Sequence, residues 1–152
     1  MELCLASSLA MRIVREKQPR SFSTRLVLIV EEHPDIVDML QWTLKLEGYE
    51  SIVAQGQDWI DQMIISGNNF FAILLDLSKE AWLNRAIIIQ QLEQRWSSLH
   101  PGKPPLVVLT TFVNTDKYTH GYPLVHKPFH ISDLRAKVKL AAAYFSEETV
   151  DL

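Results

Sequence analysis

Residues 70–76 read FFAILLD, an apolar run that stops on one carboxylate, Asp76. A run of that length without polar alternation suits a strand buried on both faces, with the acid where the strand emerges. Other runs end in the same way. RLVLIV ends in Glu31 and Glu32, PLVVL in Thr110 and Thr111, and LVH in Lys127, Pro128 and Phe129. Any one of these residues alone is an ordinary solvated loop position. Three acids, a hydroxyl and an ammonium brought to one edge suit phosphoryl transfer to a carboxylate. Clustered carboxylates repel, and a divalent oxygen-loving cation such as Mg²⁺ resolves the repulsion. Asp76 would then attack phosphorus, while Lys127 and the Thr110 hydroxyl hold phosphoryl oxygens.

An edge of this kind needs parallel strands. Five strand-like runs are present: residues 26–30, 51–54, 71–75, 106–109 and 124–125. Helical patterns fill the intervals. Pro34 suits a first helical position, and Val37, Leu40 and Leu44 recur at helical spacing before Gly48. A second helix is expected over residues 57–66, with Trp59, Met63 and Ile64 on one side. A third spans about residues 82–98, with Ile87, Leu92 and Trp96 as its apolar set. The interval from Thr111 to Pro123 is short and polar, with room for one or two helical turns. A last helix covers residues 132–145, with Leu134, Val138 and Ala141 inward and Arg135, Lys137 and Lys139 outward. Strands alternating with helices give a doubly wound α/β sheet. Right-handed crossovers place all strand carboxyl ends on one edge, where ligands bind at the point of strand-order reversal.

The bulk composition agrees with one soluble domain. The chain has 152 residues, 47% hydrophobic and 22% charged, with net charge −3. Lys and Arg are scattered, so no nucleic-acid footprint is present. Cys4 is the single cysteine, which excludes an intrachain disulfide and points to a cytoplasmic setting. MELCLASSLAM has no basic residue before its apolar stretch, unlike a secretory signal, and no stretch approaches membrane-spanning length. Leu5, Leu9 and Ile13 fall at helical spacing, so residues 1–23 form an extension, helical or disordered. Their apolar stripe is also the feature that would serve a homodimer. Residues 24–146 form the domain and 147–152 a short tail. The histidines at 33, 100, 120, 126 and 130 show no ligand spacing.

The segments LIVEEHPDI, LKLEGYESIVAQG, FFAILLDL, PLVVLTT and HKPFHISDLRAKV resemble the receiver domain of bacterial two-component response regulators. The resemblance runs from about Thr24 to Tyr144. It implies a flavodoxin-like (βα)5 fold with a five-stranded parallel sheet in the order 2-1-3-4-5. By the same resemblance Asp76 is the phosphoacceptor. Glu31, Glu32, Asp76 and the backbone carbonyl of Ser78 are the Mg²⁺ ligands. Thr110 is the switch hydroxyl, Lys127 the phosphate-sensing lysine, Leu124 occupies the switch-aromatic position, and the Lys127–Pro128 peptide is cis. The implied partners are a histidine kinase or histidine phosphotransfer protein and an output protein, with no nucleic acid and no membrane.

Several positions depart from the family pattern. Glu32 replaces an Asp, which moves a carboxylate by one methylene from a cation that tolerates little slack. The loop LSKEAWLNR lacks the family's Met-Pro and later Gly. The interval from Thr110 to Lys127 is shortened, Thr111 replaces a small residue, and Leu124 is not aromatic. The reading is therefore a single-domain regulator that accepts a phosphoryl group on Asp76, rather than an enzyme with a separate substrate. Its rival is a phosphorylation-independent pseudo-receiver acting as an interaction module. An aspartate-nucleophile phosphatase wants a second acid two residues after the nucleophile, and that position is Ser78.

Overall fold

A computed structural model of the chain describes residues 25–112 and 118–150, with side chains up to residue 143. Five strands form one parallel sheet: β1 (Leu26–Val30), β2 (Glu50–Ala54), β3 (Ala72–Asp76), β4 (Leu106–Thr110) and β5 (Leu124–His126). The helices between and after them are α1 (Pro34–Leu46), α2 (Trp59–Ser66), α3 (Lys79–Leu83), α4 (Arg85–Ser97) and α5 (Ile131–Val150). The strand order is β2-β1-β3-β4-β5, the flavodoxin-like arrangement. The expectations for residues 1–23 and for residues 151–152 lie outside the described residues.

Alternation along the three inner strands sorts the core into two layers. Val27, Ile29, Ala72, Leu74, Val107 and Leu109 pack against Leu40 and Leu44 of α1 and Leu134, Val138 and Ala141 of α5. Leu28, Val30, Ile73, Leu75, Leu106 and Val108 pack against Trp59 and Met63 of α2 and Ile89, Leu92 and Trp96 of α4. Both faces of these strands are therefore buried, which is why their sequences read as continuous apolar runs. Each buried Val, Leu, Ile or Met side chain among them contributes about 1.5–3 kcal/mol.

Two local expectations are corrected. The helix expected over residues 82–98 is two helices, α3 and α4, because Asn84 leaves helical geometry at φ −102°, ψ 15°. Its side-chain amide donates to the Glu80 carbonyl at 3.2 Å and helps close α3. Within α4, Ile89 shares the inward face of Leu92 and Trp96 at helical spacing, and Ile87, expected on that face, lies on the opposite side at 58% exposure. The last helix continues to Val150, through most of the residues assigned to a tail. Among the described residues between Thr110 and Leu124 there is no helix, and residues 113–117 of that interval lie outside the description.

Strand register fixes the edge. Val30 pairs with Leu75, so the next positions, Glu31 and Asp76, emerge side by side. Asp76 pairs with Leu109, and Thr110 with His126, which puts Thr110 and Lys127 one step beyond on the neighbouring strands. The chain leaves β1 for β2 through α1 on one face and returns to β3 through α2 on the other. Glu31 and Asp76 thus stand at the reversal of strand order.

Candidate functional site

The Lys127 ammonium lies 2.6 Å from Asp76 Oδ1 and 3.3 Å from Glu31 Oε2. It stands between two carboxylates that rigid strand ends hold in place. The Lys127–Pro128 peptide is cis, and the Lys127 amide donates to the Thr110 carbonyl at 2.9 Å. Glu31 is 5% exposed, the Lys127 side chain 9% and the Asp76 side chain 16%. The 2.6 Å contact is a close ion pair rather than a well-aligned hydrogen bond, and Asp76 Oδ1 itself is shut away from solvent. The other Glu31 oxygen, Oε1, accepts the His33 backbone N–H at 2.9 Å.

The two buried acids beside this one cation cannot both ionise freely in this space. Burial lifts Asp76, the proton it shares with Glu31 lifts it further, and the Lys127 charge offsets only part of both. Asp76 is pushed up to about 7. Proximity to an ammonium alone would lower it; removal from water is the larger effect. Burial acts upward on Glu31 as well. There the hydrogen bonds from Asp76 and the His33 N–H, with the Lys127 charge, outweigh burial and leave it below its ordinary value. One proton is held mainly on Asp76, between two acids that belong to a coupled pair.

The hydroxyl is not turned toward the acids. Thr110 Oγ1 is fully buried, donates to the Leu77 carbonyl at 2.8 Å and accepts the Phe112 N–H at 3.0 Å. Ser78 caps α3: its Oγ accepts the Ala81 N–H at 3.4 Å, and its carbonyl accepts the Trp82 N–H at 2.7 Å. Glu32 is exposed, and Leu124 is half-buried in β5.

The oxygens expected to hold a magnesium ion already have contacts of their own, apart from the exposed Glu32. Both Glu31 oxygens are engaged, the Ser78 carbonyl closes the first turn of α3, and Lys127 sits against Asp76. Among the described residues, no three His, Cys, Asp or Glu side chains form a set that could hold a metal ion. Lys127 supplies the positive charge that the carboxylates need.

The edge opens into a cavity of about 790 Å³ that runs from Glu31, Glu32 and Asp76 to an apolar wall of Ala54, Trp59, Ile60 and Ile88. Trp82, in the turn after the acceptor strand, is buried in the core at 1% exposure. Sequence reasoning missed Arg85. Its guanidinium stacks 4.3 Å from the Trp82 ring centre, donates to the Trp82 carbonyl at 2.9 Å and reaches the Tyr118 carbonyl at 2.6 Å. It ties the turn after the acceptor strand to the connection between β4 and β5. An Arg opening a helix beside a Trp carries no signal in the sequence that it will be buried.

Solved structures share this architecture. A CheY-like response regulator receiver domain from Methanospirillum hungatei matches 83% of this chain and 99% of its own, at 18% identity and a TM-score of 0.61. A response regulator receiver domain from Bacillus halodurans matches 78% of this chain and 97% of its own, at 22% identity and a TM-score of 0.54. The chain has the receiver-domain fold. An orphan response regulator of H. pylori shares that fold over 80% of this chain and 98% of its own, at 15% identity and a TM-score of 0.58. No protein-family model matches the sequence, and no curated protein does. No helix among the described residues is long and apolar enough to cross a membrane.

Proposed function

We propose that the protein is a signalling receiver that accepts a phosphoryl group on Asp76 from a phosphohistidine donor, a kinase or phosphotransfer protein, and passes the change to a bound partner. The observation that carries this reading is the Lys127 ammonium 2.6 Å from Asp76 Oδ1 on the reversal edge of a receiver fold. An Asp76 oxygen would attack phosphorus and form a new O–P bond. The bond from phosphorus to the donor would break, its electron pair leaving with the donor. The ammonium would move from the carboxylate to the phosphoryl oxygens it now faces. Asp76 must first give up its proton, so the reaction speeds up as pH rises through about 7.

Intact mass after incubation with acetyl phosphate tests the reading, beside Asp76→Asn and with and without Mg²⁺. One added phosphoryl group is expected on the native protein and none on the variant. The partners that Glu31, Ser78 and Asp76 already have favour a second reading, an interaction module that works without phosphorylation. No mass gain in the folded protein at pH 8 with Mg²⁺ present would select that one.

A further inference from the structure

The cavity at the strand-end edge has two unlike ends, and phosphoryl transfer to Asp76 would use only one of them. Its volume of about 790 Å³ lies within the ~300–1,000 Å³ that small-molecule sites occupy. One end is acidic, with Glu31, Glu32 and Asp76. The other is an apolar wall drawn from four elements: Ala54 ends β2, Trp59 and Ile60 open α2, Ala81 lies in α3 and Ile88 in α4. Ile60, Ala81 and Ile88 pack on the core layer beneath them and are only partly buried by it. They present apolar surface to the cavity that the fold itself does not cover.

The charge of the lining has one sign. Among the described residues no Lys or Arg lines the cavity. Lys127 follows β5, at the opposite edge of the sheet from the β2 end of the wall. Glu31 and Asp76 are engaged by Lys127, whereas Glu32 is exposed and pairs with no cation among the described residues.

We propose that this cavity binds a small organic cation, a primary amine carried on a bulky apolar body, with the ammonium at Glu32 and the body against Trp59, Ile60 and Ile88. An ammonium offers only donors and a carboxylate only acceptors, so the pair is matched in hydrogen bonding as well as in charge. The apolar wall excludes water from one side of the acids and focuses their field into the cavity. An organic anion would meet the same acids with no Lys or Arg to receive it. An uncharged apolar ligand would cover the wall and leave that field unused. The amine site and the phosphoryl site meet only at the Asp76 carboxylate, one approached from the β2 side and the other from the β5 side. Binding of the amine does not rest on phosphorylation.

Calorimetric titration of the full-length, unphosphorylated chain at neutral pH tests this with three probes. Tryptamine carries both parts, indole-3-propionate the ring with a carboxylate, and ethylamine the ammonium without the ring. Tryptamine should bind about tenfold more tightly than either of the others. Glu32→Gln, at an exposed position that leaves the fold intact, should weaken tryptamine about fivefold. In amide NMR spectra tryptamine should shift residues 56–60 and 88–91 and leave those of α5, on the opposite face, unmoved. No binding of tryptamine, or shifts centred away from the cavity, overturns the proposal. So does native affinity in Glu32→Gln, or indole-3-propionate binding as tightly as tryptamine. Ethylamine matching tryptamine would reduce the site to a bare cation contact and also overturn it.

Discussion

The two halves of the strand-end edge are built in opposite ways. On one side Glu31, Asp76 and Lys127 face one another, and their charges are balanced by side chains alone. On the other side Thr110 and Ser78 are turned into the backbone, one serving the Leu77 carbonyl and the other capping α3. The first half is ready to meet an anion. The second must exchange existing hydrogen bonds before it can. A phosphoryl group at Asp76 would find its cation at once and would have to compete with Leu77 for the hydroxyl.

The largest effect should come from removing the cation. Lys127→Met leaves Glu31 and Asp76 buried together without their shared charge, and breaking a buried pair in this way costs about 3 kcal/mol. Urea unfolding at pH 7 measures it. The loss should shrink at pH 5, where the acids can take up protons instead. A variant as stable as the native protein at pH 7 would mean that the charged half is not held together by Lys127.

Asp76→Asn separates the two halves by pH. The native state keeps a proton on Asp76 up to about pH 7, whereas the unfolded chain releases it near 3.8. Between those values the unfolded state binds fewer protons, so ionisation of Asp76 makes folding less favourable as pH rises, with no further change above about 7. Glu31, held below its ordinary value, acts in the opposite sense and offsets part of this. The variant should therefore be about 2 kcal/mol more stable than the native protein at pH 8, and the gap should close toward pH 4. Equal stability curves across that range would show that burial does not dominate at Asp76.

The charged half was legible in the sequence, and the hydroxyl half was not. Buried parallel strands leave long apolar runs, so Asp76, Glu31 and Lys127 announce themselves as the residues where those runs stop, and register does the rest. Nothing comparable marks a hydroxyl's partner. The Leu77 carbonyl is 33 positions from Thr110, and the choice between it and Asp76 is made by backbone geometry. Arg85 escaped for the same reason: its burial depends on carbonyls of Trp82 and Tyr118, the latter 33 positions away. The break at Asn84 hid behind helix-compatible residues on both sides. Side-chain amides that close a turn are recognised only once the turn exists.

The smallest expected effect tests the hydroxyl half directly. Thr110→Val keeps the volume and the β-branch but removes both hydrogen bonds of Oγ1. The Leu77 carbonyl loses its donor in the interior, while the Phe112 N–H, on a half-buried residue, can turn to water. The net loss should be about 1 kcal/mol in urea unfolding, and Thr110→Ser should recover most of it. The pair of variants also decides how the halves communicate. If Val is costly and Ser is not, the hydroxyl is anchored away from Asp76 and a phosphoryl group must displace a bond of that worth to recruit it. If Val is neutral, the anchor is weak, Thr110 is free to follow charge placed on Asp76, and the two halves act as one.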